Sequence, residues 1–223
     1  MPHRTLILAS LILAGPILAG PILAGLILPG TGAPALAAEP GSPDWPCVQH
    51  KVAQLTSAQF WDGPQVEGLS GWQSDDRINK LIPVLLSRRL ALEAAATAIG
   101  DFAAAQPEAT REEALKLLFA GLLASANNER SLIMAGIERF QQRQRGRAHE
   151  IERQGAEIHR LKQRAAQDAG ASSELKVAED KYNWDVRVFT ERQQSLPLAC
   201  EVPVLIEQRL FQLGREIRSH MRD

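Results

Sequence analysis

The stretch TREEALKLLFAGLL at positions 110–123 is the strongest local signal for the fold. Thr110 and Glu113 have the spacing of a capping box, in which each side chain satisfies a backbone N–H of the other residue at a helix start. The residues that follow are apolar nearly all round a helix, which predicts deep burial. Because no proline occurs between positions 108 and 196, we expect one long helix over about 111–167. Its length would be on the order of 85 Å at 1.5 Å per residue.

The chain that follows predicts a second helix packed against the first. Gly170 offers a helix stop, and Ser172 or Ser173 offers a new N-cap. A narrow seam at steps of three and four residues runs through Leu175, Ala178, Tyr182, Val186, Phe189, Gln193 and Leu196. A matching seam in the preceding helix runs through Ala148, Ile151, Gly155, Ile158, Lys162 and Ala165.

Two narrow seams joined by a short turn are typical of an antiparallel coiled-coil hairpin. We expect this hairpin, residues 141–195 and called the arm below, to project from the body. Its few apolar residues cannot bury a wide face. A seam this narrow can also pair two copies of the chain as a homodimer.

The sequence outside the arm predicts further helices that form a small helical body. A first helix is expected from a cap at Ser74 to an end bracketed by Gly100 and Pro107. Pro83 is expected either to kink this helix or to mark its true start. Pro197 is expected to end the arm, and Pro203 to begin a last helix. Asn127 and Asn128 are the one place where the long helix could break. The fold class is therefore all-α: a small helical bundle over 74–223 with a projecting antiparallel coiled-coil hairpin.

Residues 38–73 predict an irregular N-terminal strap. The segment is rich in proline and glycine, and no helical period survives across it. Trp45, Trp61 and Trp72 lie along it. We expect these rings to anchor the strap on the helices, and the alternative is that they line a groove for a small ligand.

The first 37 residues read as a secretory signal. Arg4 precedes an apolar run from Leu6 to Leu28, and the sequence Ala35-Leu36-Ala37 has the small-x-small pattern of a cleavage site. The run is long enough for an uncleaved membrane anchor, but Pro16 and Pro21 oppose a continuous spanning helix. We expect cleavage after Ala37 and a periplasmic protein, tethered to the membrane only if the signal is retained.

An oxidising compartment favours a disulfide between the two cysteines, Cys47 and Cys200. No Cys-x-x-Cys motif supports a redox pair. The spacing of Cys47 and His50 supplies at most half of a zinc site. We therefore expect no metal and no cofactor.

The net charge of the chain after signal cleavage bears on which partners it can bind. Removal of 37 residues from 223 leaves 186 residues with 24 basic and 26 acidic side chains, a net charge of −2. That value does not favour nucleic acid or an anionic membrane as a partner. A basic stretch in the long helix contains Arg139, Arg143, Arg145, Arg147, Arg153, Arg160, Lys162 and Arg164. It is a solvated face, a docking surface for an acidic partner, or a surface covered by the acidic N-terminal segment.

Catalytic motifs are missing from the sequence. His149 and His159 diverge on a helix, so they cannot chelate a metal together. No nucleophile elbow or phosphate loop occurs. An enzyme of unrecognised type would have to use the acids Asp62, Glu67, Asp75 and Asp76. We expect instead a non-catalytic accessory or scaffold protein that binds an envelope protein through its arm, and a small-ligand-binding protein is the alternative.

Overall fold

The computed structural model describes residues 44–221, apart from the side chain of Ala169. Across these residues the chain forms four α-helices and no strand: α1 (Asp76–Leu86), α2 (Leu92–Ala104), α3 (Glu108–Ala165) and α4 (Ala169–Ser219). This arrangement confirms the all-α prediction. The predicted signal at 1–37 and the first part of the strap lie outside the described residues.

The two long helices dominate the structure. α3 has 58 residues and α4 has 51, which correspond to roughly 87 and 76 Å. They run antiparallel and form the most extensive interface between any two elements. α3 continues through Asn127 and Asn128 without a break, so the predicted long helix is confirmed.

The prediction that Pro197 ends the arm and Pro203 begins a new helix was wrong. Both prolines lie inside α4. Each removes one backbone N–H and typically weakens a helix by about 3 kcal/mol. Between them, Cys200 is bonded to the strap and its carbonyl accepts a hydrogen bond from the Gln49 side chain. These contacts, together with the packing of α4 on α3 before and after this segment, outweigh the helix-breaking effect of the two prolines.

The first predicted helix is in fact two helices, and its cap is Asp75 rather than Ser74. The Asp75 carboxylate accepts the backbone N–H groups of Arg77 at 2.8 Å and Ile78 at 3.3 Å. Pro83 does not mark the break, because α1 continues to Leu86. The chain leaves the helix where the buried Arg209 of α4 donates to the carbonyls of Leu85 and Leu90. A side chain from elsewhere in the fold thus satisfies the Leu85 carbonyl at the end of α1 and the Leu90 carbonyl in the connection that follows.

Two further helix starts differ from prediction. The capping box at Thr110 does not form, because α3 already begins at Glu108 and Thr110 lies inside its first turn. The Thr110 hydroxyl instead donates to the Pro107 carbonyl at 3.3 Å. α4 is capped by Asp168, which accepts the N–H of Gly170 at 2.8 Å, and not by Ser172 or Ser173. Gly170 therefore lies in the first turn of α4 and is not a stop.

The core of the body lies between α1, α2, the first half of α3 and the last part of α4. Its fully buried apolar side chains include Ile78, Leu85, Ile99, Leu115, Leu118, Phe119, Leu122, Leu210 and Ile217. The deep burial predicted for the 110–123 stretch is confirmed at four of these positions. Arg130 is also buried, at 2% exposure, and it pairs with Glu207 at 2.7 Å.

The strap is irregular, as predicted, with single 3-10 turns at Ser57–Gln59 and Gly71–Ser74. It is fixed to α3 by Asn127, whose side-chain amide pairs with both backbone groups of Leu55. The Leu55 N–H donates to Oδ1 at 2.8 Å, and Nδ2 donates to the Leu55 carbonyl at 3.0 Å. The strap backbone also approaches α4 so closely that a Cβ at Gly214 would lie 2.5 Å from the Phe60 carbonyl oxygen.

The predicted disulfide is present in the structure. Cys47 and Cys200 are bonded, with their Cα atoms 5.6 Å apart and a sequence separation of 153 residues. The bond joins the start of the described strap to the middle of α4. It therefore closes nearly the whole body into one loop.

Removing this disulfide should destabilise the chain strongly. A loop of this length restricts the unfolded chain by roughly 5 kcal/mol in entropy, and measured losses for native disulfides are about 2–5 kcal/mol. We expect the double variant Cys47→Ala/Cys200→Ala to lose about that much unfolding free energy in urea titrations. Reductant should lower the stability of the wild type to that of the variant and leave the variant unchanged. Equal stability of the oxidised wild type and the variant would contradict this prediction.

Asn127→Ala should loosen the strap. It leaves the N–H and the carbonyl of Leu55 without their partner, and the loss of such a pair typically costs about 1–3 kcal/mol. Asn128→Ala is the matched control, because its side chain is exposed one residue further along the same helix. We expect faster amide hydrogen exchange around Leu55 in the first variant only. Similar exchange in both variants would show that Asn127 does not hold the strap.

Candidate functional site: the helical arm and its base

The seam of the arm lies where the sequence places it. All seven seam residues predicted on α4 are half-buried. On α3, Ile158 is buried, and Ala148, Ile151, Gly155 and Ala165 are half-buried. Lys162 is the exception, since it is exposed and pairs with Glu179 across the hairpin at 3.0 Å. The hairpin therefore satisfies its own seam within one chain.

Buried polar residues interrupt this seam, and sequence reasoning missed them. Gln144 donates to the Phe189 carbonyl at 3.3 Å. Gln154 donates to Asp185 at 2.8 Å and to Glu150 at 2.9 Å. Polar side chains within a coiled-coil seam fix which residues face each other, at some cost in stability. The available signal was their spacing, because Gln144 lies four residues before Ala148 of the seam and Gln154 lies between Ile151 and Ile158 at steps of three and four.

Asp185 is the centre of an ion network across the arm. Lys181 lies 2.8 Å from its carboxylate and Arg147 lies 3.7 Å from it. The hydrogen bond from Lys181, followed by that from Gln154, holds the pKa of Asp185 below its ordinary value. Hydrogen bonds from Gln154 and then Arg153 likewise lower the pKa of Glu150.

Most of the predicted basic surface is neutralised within the chain. Six of its eight members form ion pairs: Arg145 with Asp44, Arg147 with Asp185, Arg153 with Glu150, Arg160 with Glu157, Lys162 with Glu179, and Arg164 with Glu174. One pair, between Arg145 and Asp44 at 2.5 Å, joins the arm to the strap. Arg139 and Arg143 form no ion pair with any described residue.

The largest apolar feature on the outside of the arm was not found from the sequence. Trp184 is 62% exposed and Val177 is 68% exposed. They are seven residues apart on α4, so they lie on nearly the same face, roughly 10 Å apart along the helix. Arg187 lies over the Trp184 ring, with 5.9 Å between its guanidinium carbon and the ring centroid. The available signal was an aromatic residue outside the seam period.

The three tryptophans of the strap have structural contacts. Trp61 stacks on Phe119, with ring centroids 4.4 Å apart, and donates to the Pro64 carbonyl. Trp72 packs against the core beside Gly121. Trp45 donates to the carbonyl of Gln49 at 2.7 Å. Their use as a ligand groove stays a prediction.

Three of the four acids that an enzyme would have to use are engaged in local structure. Asp75 caps α1, and the hydrogen bond from Arg77, the largest influence, lowers its pKa. Glu67 accepts a hydrogen bond from Ser57, and Asp62 pairs with Arg218 at 3.8 Å. Asp76 is exposed in the first turn of α1. Within residues 44–221, no three His, Cys, Asp or Glu residues are placed to hold a metal ion.

Two open grooves lie at the base of the arm, where it joins the body. One, of about 480 Å³, follows the disulfide and is lined by Cys47, Val48, Leu196, Cys200 and Leu205. The other, of about 380 Å³, lies between α3 and α4 and is lined by Ile137, Phe140, Arg143, Leu196 and Arg88. Leu196 of α4 therefore contributes to both grooves.

Comparison with known proteins adds no identification. No protein-family model matches the chain, and no curated protein or solved structure shows significant similarity to it. Of the helices in the described part of the chain, none is both long and apolar enough to cross a bilayer.

Acid should weaken the arm through Asp185. Because its pKa is lower in the folded chain than the ordinary value of 3.8, the ionised carboxylate stabilises the arm above that value. This stabilisation is lost as pH falls through the lowered pKa. Asp185→Asn should therefore reduce the loss of stability below pH 4, as measured by acid titration of circular dichroism. Asp180→Asn is the matched control, because Asp180 is exposed on the same helix and forms no ion pair with another described residue. It should leave the circular-dichroism titration unchanged. An unaltered Asp185→Asn titration would contradict the assignment.

Proposed function

We propose that this chain is an exported, non-catalytic accessory or scaffold protein whose arm binds a partner protein of the cell envelope. The observation that carries the proposal is the exposed pair Trp184 and Val177 on the outer face of the arm. The hairpin seam is complete without them. Their exposure is thus not required by the fold of one chain.

The surroundings of Trp184 fit a protein-binding surface. Tryptophan is enriched among residues that dominate binding energy, and such residues have a polar rim. Here the rim consists of Lys181 and Asp185 on one side, 2.8 Å apart, and Arg187 and Glu191 on the other, 2.9 Å apart. Since these charges are paired, the surface favours an apolar pocket on the partner more than a strongly acidic one.

The charge pattern also argues against nucleic acid. Residues 141–195 contain 11 basic and 9 acidic side chains. A nucleic-acid site needs clustered unpaired cations that replace counterions along the phosphates. The ion pairs across the arm leave no such continuous surface on it.

Export is part of this proposal. The apolar N-terminal run followed by Ala35-Leu36-Ala37 supports a cleaved signal. The bonded cysteines are compatible with an oxidising compartment such as a bacterial periplasm. The intact mass of the mature protein tests cleavage directly, because removal of residues 1–37 would place Ala38 at the N-terminus.

Trp184→Ala should weaken partner binding by roughly thirtyfold without unfolding the arm. Truncating such a residue typically weakens a complex by 2 kcal/mol or more, roughly thirtyfold, whereas exposed substitutions change stability by about 0.5 kcal/mol or less. Partners would be captured from the periplasm after mild cross-linking, identified by mass spectrometry, purified, and titrated against each variant. Replacing residues 141–195 with a short turn should abolish binding of the same partner.

His149→Ala is the matched control, because His149 is an exposed side chain on the other helix of the arm. It should retain full affinity. Binding of the purified partner that survives both Trp184→Ala and removal of the arm would refute the proposal. Loss of binding together with loss of a dimer in sedimentation would instead identify the partner as a second copy of the chain.

A further inference from the structure

The groove between α3 and α4 at the base of the arm has the size and lining of a small-molecule site. Its volume is about 380 Å³, within the usual range for such sites. The floor is apolar and comes from both helices, through Ile133, Ile137, Phe140, Leu196 and Val202. Gly136 and Ala199 leave the space open, since neither side chain can fill it.

The rim of this groove is positively charged, and none of the described residues that line it is acidic. Arg88 comes from the turn between α1 and α2, and Arg143 comes from α3. Neither forms an ion pair or a hydrogen bond with a described residue, and no acidic residue lines the groove. The Arg139 guanidinium also lies close, 3.9 Å from the position of a Cβ on Gly136.

The basic residues beside the groove differ from those along the arm in their ion pairing. Six of the eight basic residues predicted as a docking surface have acidic partners, whereas the two that lack one, Arg139 and Arg143, both lie beside this groove. The position of Arg88 is set by the fold, because Arg209 holds the turn that carries it through the carbonyls of Leu85 and Leu90. Two cations that lack an acidic partner in the described part of the chain, Arg88 and Arg143, therefore line an apolar cavity.

We propose that this groove binds a monomeric single-chain carboxylate, with the alkyl chain on the apolar floor and the carboxylate near Arg88 and Arg143. A small inorganic anion would leave the floor unused, and a neutral apolar molecule would leave the charges unused. Arginine forms strong charge-assisted hydrogen bonds with carboxylates. This site is independent of the outer face of the arm and of any protein that binds there.

The test uses the full mature chain and sodium decanoate in isothermal titration calorimetry. We expect saturable binding with one site per chain. Arg88→Gln and Arg143→Gln should each weaken it by roughly three- to tenfold. Decyltrimethylammonium, with the same alkyl length and a positive head group, should not compete. Absence of saturable decanoate binding, or equal binding of the cationic amphiphile, would overturn the proposal.

Two glycines on α3 provide a matched steric pair. A side chain at Gly136 enters open space in the groove, since its Cβ would meet only the flexible Arg139 side chain at 3.9 Å. Gly146 has nothing within 4 Å and lies on the exposed face. Gly136→Leu and Gly146→Leu gain similar helix propensity. Decanoate affinity should fall at least tenfold in the first and stay unchanged in the second. Unaltered affinity in Gly136→Leu would place decanoate elsewhere and refute this site.

Discussion

The antiparallel pairing of α3 and α4 is the constraint on which the rest of the structure depends. A helix that extends beyond its body gains little stability from propensity alone and needs a packed face. Each long helix supplies that face to the other. The same two helices enter the body, where α3 provides Leu115 and Phe119 to the core and α4 provides Leu210 and Ile217. Arm and body are consequently continuous, and no flexible linker separates them.

The strap limits how this helix pair can move at its base. Asn127 holds the strap to α3, and the disulfide holds it to α4 at Cys200, between two prolines. A stretch of helix with two missing N–H groups would otherwise be the weakest part of α4. The covalent bond and the hydrogen bond from Gln49 lie at that point. The strap thus supports the segment of α4 that forms one wall of both basal grooves.

Features that depend on neighbouring residues in the sequence could be predicted, whereas features that depend on tertiary contacts could not. Strong periodicity predicted the long helix and the hairpin seam. The disulfide was predictable because each of the two cysteines has only one possible partner in the sequence. All three predictions are confirmed. Helix ends were predicted poorly. The true terminus of α1 depends on Arg209, which is distant in sequence, and the continuity of α4 depends on contacts around Pro197 and Pro203. Local patterns cannot show such tertiary contacts.

The candidate surfaces were hidden from sequence reasoning for a related physical reason. A basic residue indicates a surface only if its charge is unpaired, and pairing depends on which residues face each other across the hairpin. The structure shows that most of the basic stretch is neutralised. Two features stand apart from this neutralised surface: the exposed Trp184 on the arm, and Arg88 and Arg143 beside an apolar groove. We propose that both features serve binding, because the packing of the helices does not require the exposure of the one or the unpaired charge of the other. Their separation along the arm allows each to be altered without disturbing the other.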